Sequence, residues 1–179
     1  NVVGVDIDCV LTELQPTMDF MADFFGKESP SLEDVLDYNL SDTFGIEEEE
    51  CLSFWENEEH EICKNSVLSE DRYQSILKNF TDEDSAVVLV TSRDKKHTEV
   101  TSQWLEDNGI SYDMLIMTSG ECKKPIIETL DMKYMIDDKP DLFHTMNGSK
   151  TKMICVDYEY NKDVPSDFRM TKCGRVYNN

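Results

Sequence analysis

Five short apolar runs, at residues 2–5, 86–90, 114–117, 134–136 and 153–156, constrain the fold of this chain more than any other feature. Each is rich in Val, Ile, Leu or Met, has the length of a strand and lacks polar alternation, as strands buried on both faces do. Helical patterns separate the later runs, and an alternation of strand and helix argues for a parallel, Rossmann-like α/β sheet flanked by helices. In such sheets ligands sit outside the carboxyl ends of the strands, so the residues just after each run are where chemistry is to be sought.

The alternation fails once. Residues 13–79 carry helical patterns and no second strand, which reads as a small helical cap inserted after the first strand. The core is then 1–12 with 80–179, joined to the cap by hinges near 12–14 and 79–85. One helix runs through Met18, Met21, Ala22 and Phe25 to Gly26, and Pro30-Ser31 opens a short one. A longer helix covers 46–63, with Ile46, Leu52, Trp55 and Ile62 near helical spacing, and another covers 69–79.

A chain of 179 residues with 39% apolar content has enough material for one domain with such an insertion. Its six cysteines are scattered through expected strands and helices, and none has zinc-ligand spacing, so they read as reduced thiols. His60, His97 and His144 stand alone in sequence, without a partner at ligand or triad spacing. A net charge of -21 repels a polyphosphate backbone, which excludes extended nucleic acid as a partner. A small phosphorylated ligand remains compatible, because a divalent cation and a few basic groups reverse the sign locally. The run Glu47–Glu50 reads as a solvated helix face. No stretch approaches the roughly 18 apolar residues of a membrane span, and the first strand lacks the basic flank of a signal peptide. The expectation is a cytoplasmic protein without membrane contact, and a homodimer is compatible with the sequence.

The strand ends carry the chemistry. The first run leads into Asp6 and Asp8, two carboxylates whose burial is costly unless they hold a cation, share a proton or react. The second leads into Thr91-Ser92-Arg93-Asp94, two hydroxyls and a guanidinium suited to phosphate oxygens, although Ser92 or Asp94 also serves as a helix cap. After the third come Lys123 and Lys124 before Pro125, a charge for a phosphoryl group or a solvated pair. The fourth ends in Asp137-Asp138-Lys139-Pro140-Asp141. Carboxylates brought from two strands to one point make an oxygen-rich site suited to magnesium.

In chain order, strand-Asp-x-Asp, strand-Thr-Ser, Lys before a helix, and strand-Asp-Asp resemble the four motifs of the haloacid dehalogenase-like phosphatases. Within that superfamily, Asp6-Ile-Asp8-Cys-Val-Leu, Val-Thr91-Ser92-Arg and Tyr-Met-Ile-Asp137-Asp138-Lys-Pro-Asp141 are most similar to the 5′(3′)-deoxyribonucleotidases, and Trp55-Glu56 matches a Trp-Glu pair in that group's cap. The resemblance implies a magnesium-dependent phosphatase of nucleoside monophosphates, 5′- or 3′-deoxyribonucleotides. Asp6 is its nucleophile and Asp8 its general acid and then base. Mg2+ is held by Asp6, the backbone carbonyl of Asp8, Asp137 and Asp138, while Thr91, Ser92 and one lysine bind phosphoryl oxygens. Spacing to Asp137-Asp138 favours Lys123, and adjacency to Pro125 favours Lys124. Cap aromatics, with Phe20, Phe24 and Trp55 foremost, and Arg93 are candidates for substrate contact. Cys9 departs from the pattern, since glycine is common at that position, and it places a larger side chain in the turn. The alternatives within the same fold are a polynucleotide 3′-phosphatase, another small-metabolite phosphatase, and a catalytically silent binding protein.

Overall fold

Apolar strand runs become a single seven-stranded sheet in the computed structural model, which describes all 179 residues. The strands are β1 (Val2–Val5), β2 (Ala86–Thr91), β3 (Met114–Met117), β4 (Tyr134–Asp137), β5 (Lys152–Val156), β6 (Phe168–Met170) and β7 (Val176–Asn178). Their order across the sheet is β3-β2-β1-β4-β5-β6-β7, parallel except for β7, which runs antiparallel to β6. The helices are α1 (Gln15–Phe25), α2 (Leu40–Phe44), α3 (Glu48–Asn65), α4 (Glu70–Phe80), α5 (Thr98–Asp107), α6 (Lys124–Thr129) and α7 (Pro140–Met146).

Residues alternate between two cores along the strands, as the pleat requires. Val3, Val5, Leu89, Ile136, Ile154 and Val156 share one core with α1, α3 and α5, whereas Val88, Val90, Met135, Met153 and Cys155 face Ile127 of α6 and Leu142, Phe143 and Met146 of α7. Gly4 lies where two methionines close on the backbone. A Cβ there would meet the Met132 sulfur at 2.5 Å and the Met135 sulfur at 2.6 Å.

The five apolar runs match β1 to β5 within one residue at each end. The strands β6 and β7 have no apolar run to announce them: each is three residues long, and buried Arg169 occupies the middle of β6. Four helices stand between β1 and β2, and α1 stops where Gly26 turns left-handed at φ 63°. The last of them packs on the sheet, with Phe80 of α4 5.3 Å from the Tyr134 ring and 6.4 Å from that of Phe168. The chain passes between sheet and helices twice, and the two passages run side by side. Glu13 N donates to Val67 O at 2.8 Å and Ser69 N to Leu11 O at 2.7 Å. All six cysteines are free, Glu47–Glu50 are exposed, and no helix is long and apolar enough to cross a membrane.

Candidate active site

Asp6 is placed by the sheet itself. Its N–H donates to Ile136 O at 2.9 Å, extending the β1–β4 ladder one residue and setting Asp6 beside Asp137. The chain then coils around the Ile7 carbonyl, which accepts from Val10 N at 3.3 Å, Leu11 N at 2.9 Å and Thr12 N at 3.0 Å. This coil forces Cys9 to φ 61°, a left-handed conformation that glycine adopts freely and cysteine does not. Two bonds hold it there: Cys9 N donates to Thr12 Oγ1 at 3.1 Å, and the Tyr158 hydroxyl donates to Cys9 O at 2.9 Å. The unusual residue of the first motif is thus a conformational departure, and neighbouring bonds hold it in place.

Asp6, Asp137 and Asp138 are all buried and offer carboxylate oxygens that lie within 4.8 Å of one another. Buried Lys123 reaches over from the β3 side, its Nζ 3.0 Å from Asp6 Oδ1 and 2.7 Å from Asp137 Oδ2. Asp137 Oδ1 accepts from the N–H groups of Asp138 at 2.9 Å and Lys139 at 2.8 Å. Asp138 Oδ2 accepts from the Tyr160 hydroxyl at 2.6 Å. Burial pushes the Asp6 carboxyl up to about 7, with Lys123 opposing the rise and Asp137 and Asp8 adding to it. Burial also lifts Asp138 well above the usual carboxylate range, reinforced by Asp137 and Asp6. For Lys123 burial works to lower the pKa, but Asp137 and Asp6 overcome it and the ammonium is held more firmly than in water. Three carboxylates facing one ammonium leave a buried negative excess. An all-oxygen donor set of this kind fits a hard divalent cation such as magnesium.

Asp8 stands outside that cluster. Its side chain is 44% exposed, and Arg93 grips both oxygens, Nε to Oδ2 at 2.9 Å and Nη2 to Oδ1 at 2.8 Å. Arg93 is itself buried and tied to Thr101 Oγ1 at 3.2 Å and Ser66 Oγ at 3.4 Å. The guanidinium read from sequence as a substrate contact is engaged in holding Asp8, and the bidentate fork fixes the carboxylate's plane as well as its place. Thr91 Oγ1 accepts from Arg93 N at 3.2 Å and is buried. Ser92 lines a cleft of about 190 Å³ with Gly120, Lys123 and Lys139, and its hydroxyl makes no hydrogen bond. Asp94 caps the 3₁₀ turn 95–97 that precedes α5, accepting from Lys96 N at 2.9 Å.

The two lysines part company. Lys123 lies just before α6 and points into the acids, whereas Lys124, its first residue, turns outward, with Nζ 3.2 Å from Thr145 O and 3.8 Å from Glu128. We expect Lys123→Ala to lower kcat by roughly 10²–10³, the loss typical of one donor to a developing oxyanion, and Lys124→Ala to stay within about twofold. Steady-state kinetics on the two variants checks this.

Among the aromatic candidates, Phe20, Phe24, Phe25 and Trp55 gather around Phe54, with ring centroids 5.1–5.8 Å from it. They are a packing cluster. Tyrosines absent from the sequence reading stand at the acids instead. Tyr160, bonded to Asp138, stacks on Tyr158 at 5.2 Å and meets the edge of Tyr38 at 5.5 Å. Half-exposed Tyr38, from the helical insertion, also lies under Lys139 Nζ at 5.8 Å. The available signal was Tyr158-Glu-Tyr160-Asn161, which follows the fifth apolar run after Asp157. His97 is not isolated either: it is buried, with Nε2 3.1 Å from Glu59 Oε2 and its ring 5.8 Å from that of His60. That grouping arises from α3 meeting α5, which sequence spacing does not reveal.

The parallel sheet delivers an Asp-x-Asp turn, a Thr-Ser loop, a lysine and an Asp pair to one end, in the chain order on which the resemblance to the haloacid dehalogenase-like phosphatases rests. No family model matches the chain. A hydrolase of that superfamily, subfamily IA, from Geobacter sulfurreducens superposes with a TM-score of 0.59 at 12% identity, over 95% of this chain and 91% of its own. In sequence the chain is 28% identical over 136 residues to a protein of Oceanobacillus iheyensis that bears a provisional nucleotidase name, covering 73% of this chain and 71% of that one. It is 24% identical over 160 residues to a nucleotidase of Clostridium acetobutylicum, covering 89% and 82%. The chain is thus similar in fold to haloacid dehalogenase-like hydrolases and similar in sequence to proteins that carry nucleotidase names.

Proposed function

We propose that this protein is a magnesium-dependent phosphatase of nucleoside monophosphates, 5′- or 3′-deoxyribonucleotides, working through an aspartyl-phosphate on Asp6. The observation that carries this reading is the meeting of Asp6, Asp137 and Asp138 with Lys123 in one buried space at the carboxyl ends of the strands. Asp6 Oδ1 is occupied by Ile7 N at 2.8 Å and by Lys123, which leaves Oδ2 without a protein partner and available to attack phosphorus. Attack forms the Oδ2–P bond and breaks the bond to the leaving oxygen. Asp8, open to solvent, takes a proton from water as it turns out of the Arg93 fork, gives that proton to the leaving oxygen and then takes one from the water that splits the acyl phosphate. Lys123 and the free Ser92 hydroxyl meet the phosphoryl oxygens, and the buried site strengthens these contacts. Asp6, Asp137 and Asp138 would hold the magnesium, which would supply positive charge against the phosphoryl oxygens.

Of residues 13–79, the part between the two passages serves as the cap in this reading, while α4 packs on the sheet, and Tyr38 is a cap side chain that reaches Tyr160 beside the acids. A small phosphorylated substrate fits the charge of -21 better than a polynucleotide does, since only the site offsets that field. The test is a phosphate-release screen over deoxy- and ribonucleoside monophosphates, 5′ and 3′, with a 3′-phosphorylated oligonucleotide alongside, each with magnesium and with chelator. Turnover of a mononucleotide that chelator abolishes supports the reading. Preference for the oligonucleotide, or turnover indifferent to chelator, rejects it.

A further inference from the structure

The segment after β5 braces the site at three points, two on Asp138 and one on Cys9. Asn161, buried, donates from Nδ2 to Asp138 O at 2.9 Å and to Val156 O at 2.8 Å, which pins the strand end to the Asp137-Asp138 turn. The Tyr158 hydroxyl donates to Cys9 O in the first motif. Tyr160, stacked on Tyr158 with the ring planes only 4° apart, donates to Asp138 Oδ2. A carboxylate free to turn about its last bond offers either oxygen, or both, to a cation. The Tyr160 hydroxyl narrows that choice: it takes Oδ2 and leaves Oδ1 without a protein partner.

We infer that Tyr160 is a positioning residue for the metal: it fixes Asp138 as a one-oxygen ligand. The inference rests on the proposed magnesium site and deepens it, because it assigns to a loop outside the four motifs a share of the cation affinity. Groups that orient ligands in this way are typically worth about 10- to 100-fold in metal affinity. The hydroxyl is the operative atom, since the ring has its own packing against Tyr158 and Tyr38.

Magnesium titration calorimetry on the native chain, Tyr160→Phe and Tyr158→Phe tests it, with a melting curve for each. Tyr160→Phe keeps the ring and is expected to weaken magnesium binding about 10- to 100-fold. Its melting temperature should stay close to that of the native chain, and kcat should recover when magnesium is raised to saturation. Tyr158→Phe, whose hydroxyl touches only a backbone carbonyl, is expected to bind magnesium within about threefold of the native chain. Native affinity in Tyr160→Phe overturns the inference while leaving the phosphatase reading intact. An equal loss in both tyrosine variants overturns it as well, because the segment would then act as a structural brace alone. If the native chain binds no magnesium, the metal site fails and the inference falls with it.

Discussion

Asp6→Asn is expected to remove turnover while leaving the protein as stable as before, or more so. The amide cannot form the acyl phosphate, and the loss in kcat should be on the order of 10⁴-fold or more, in line with deletion of a nucleophile elsewhere. Stability should move the other way. In the folded, metal-free protein, burial lifts the Asp6 pKa from 3.8 to about 7, so the native state retains a proton that the unfolded chain releases above pH 4. More protons bound in the folded state means that stability falls as pH rises across that window. Asp138 is shifted in the same direction and adds to the slope. Asparagine carries no such cost. Chemical denaturation in chelator at pH 4, 5.5 and 7 should therefore show a shallower decline for Asp6→Asn than for the native chain. Magnesium should narrow the difference, because the cation favours the ionised carboxylates. Loss of activity accompanied by a lower midpoint at pH 7 would instead mean that Asp6 supports the fold.

Much of the site is legible in sequence for a reason that also limits it. Strands β1, β2, β4 and β5 are largely buried and edge strand β3 is apolar as well, so composition alone marks all five, and acids directly after such runs are conspicuous because burial there is expensive. Asp6, Asp137 and Asp138 stand out on that ground, and the sheet order puts β1 beside β4. Where the outcome depends on side-chain direction, sequence falls silent. Lys123 and Lys124 are equivalent as letters, and only the start of α6 turns one inward. Arg93 reads as a phosphate ligand until the fold brings it to Asp8, 85 residues away. The phenylalanines of the insertion share the helical spacing of a binding stripe and of a packing seam, and in the structure they gather around Phe54 while Phe24 stays half exposed. Tyr160 belongs to a loop whose strand leads into a single acid, Asp157, which pairs with Arg169, and the acidic pattern does not draw attention to a tyrosine.

Arg72 is the residue whose loss should most damage the fold. It is fully buried in α4, and its guanidinium donates from Nε to Val10 O at 2.8 Å, from Nη2 to Thr12 O at 2.7 Å and from Nη1 to Lys172 O at 2.9 Å. Glu13, whose side chain is 35% exposed, supplies the nearest counter-charge at 3.3 Å. The three carbonyls belong to the coil after Asp6 and to the loop between β6 and β7, so one side chain ties the first motif's exit to the far end of the sheet. Replacing it with methionine preserves most of the volume but leaves those carbonyls without donors in a buried space. Each orphaned carbonyl costs about 1–3 kcal/mol, so about 4 kcal/mol is expected for Arg72→Met. For a chain of this length that corresponds to a fall in Tm of about 10 °C. Arg72→Lys should recover only part of it, since an ammonium cannot span three carbonyls as the planar fork does. Glu13→Gln, at the solvent end of the network, should cost under about 1 kcal/mol. Thermal melts of the three variants decide the ordering. If Glu13→Gln proves as damaging as Arg72→Met, the ion pair holds this junction, and the carbonyl bonds are secondary.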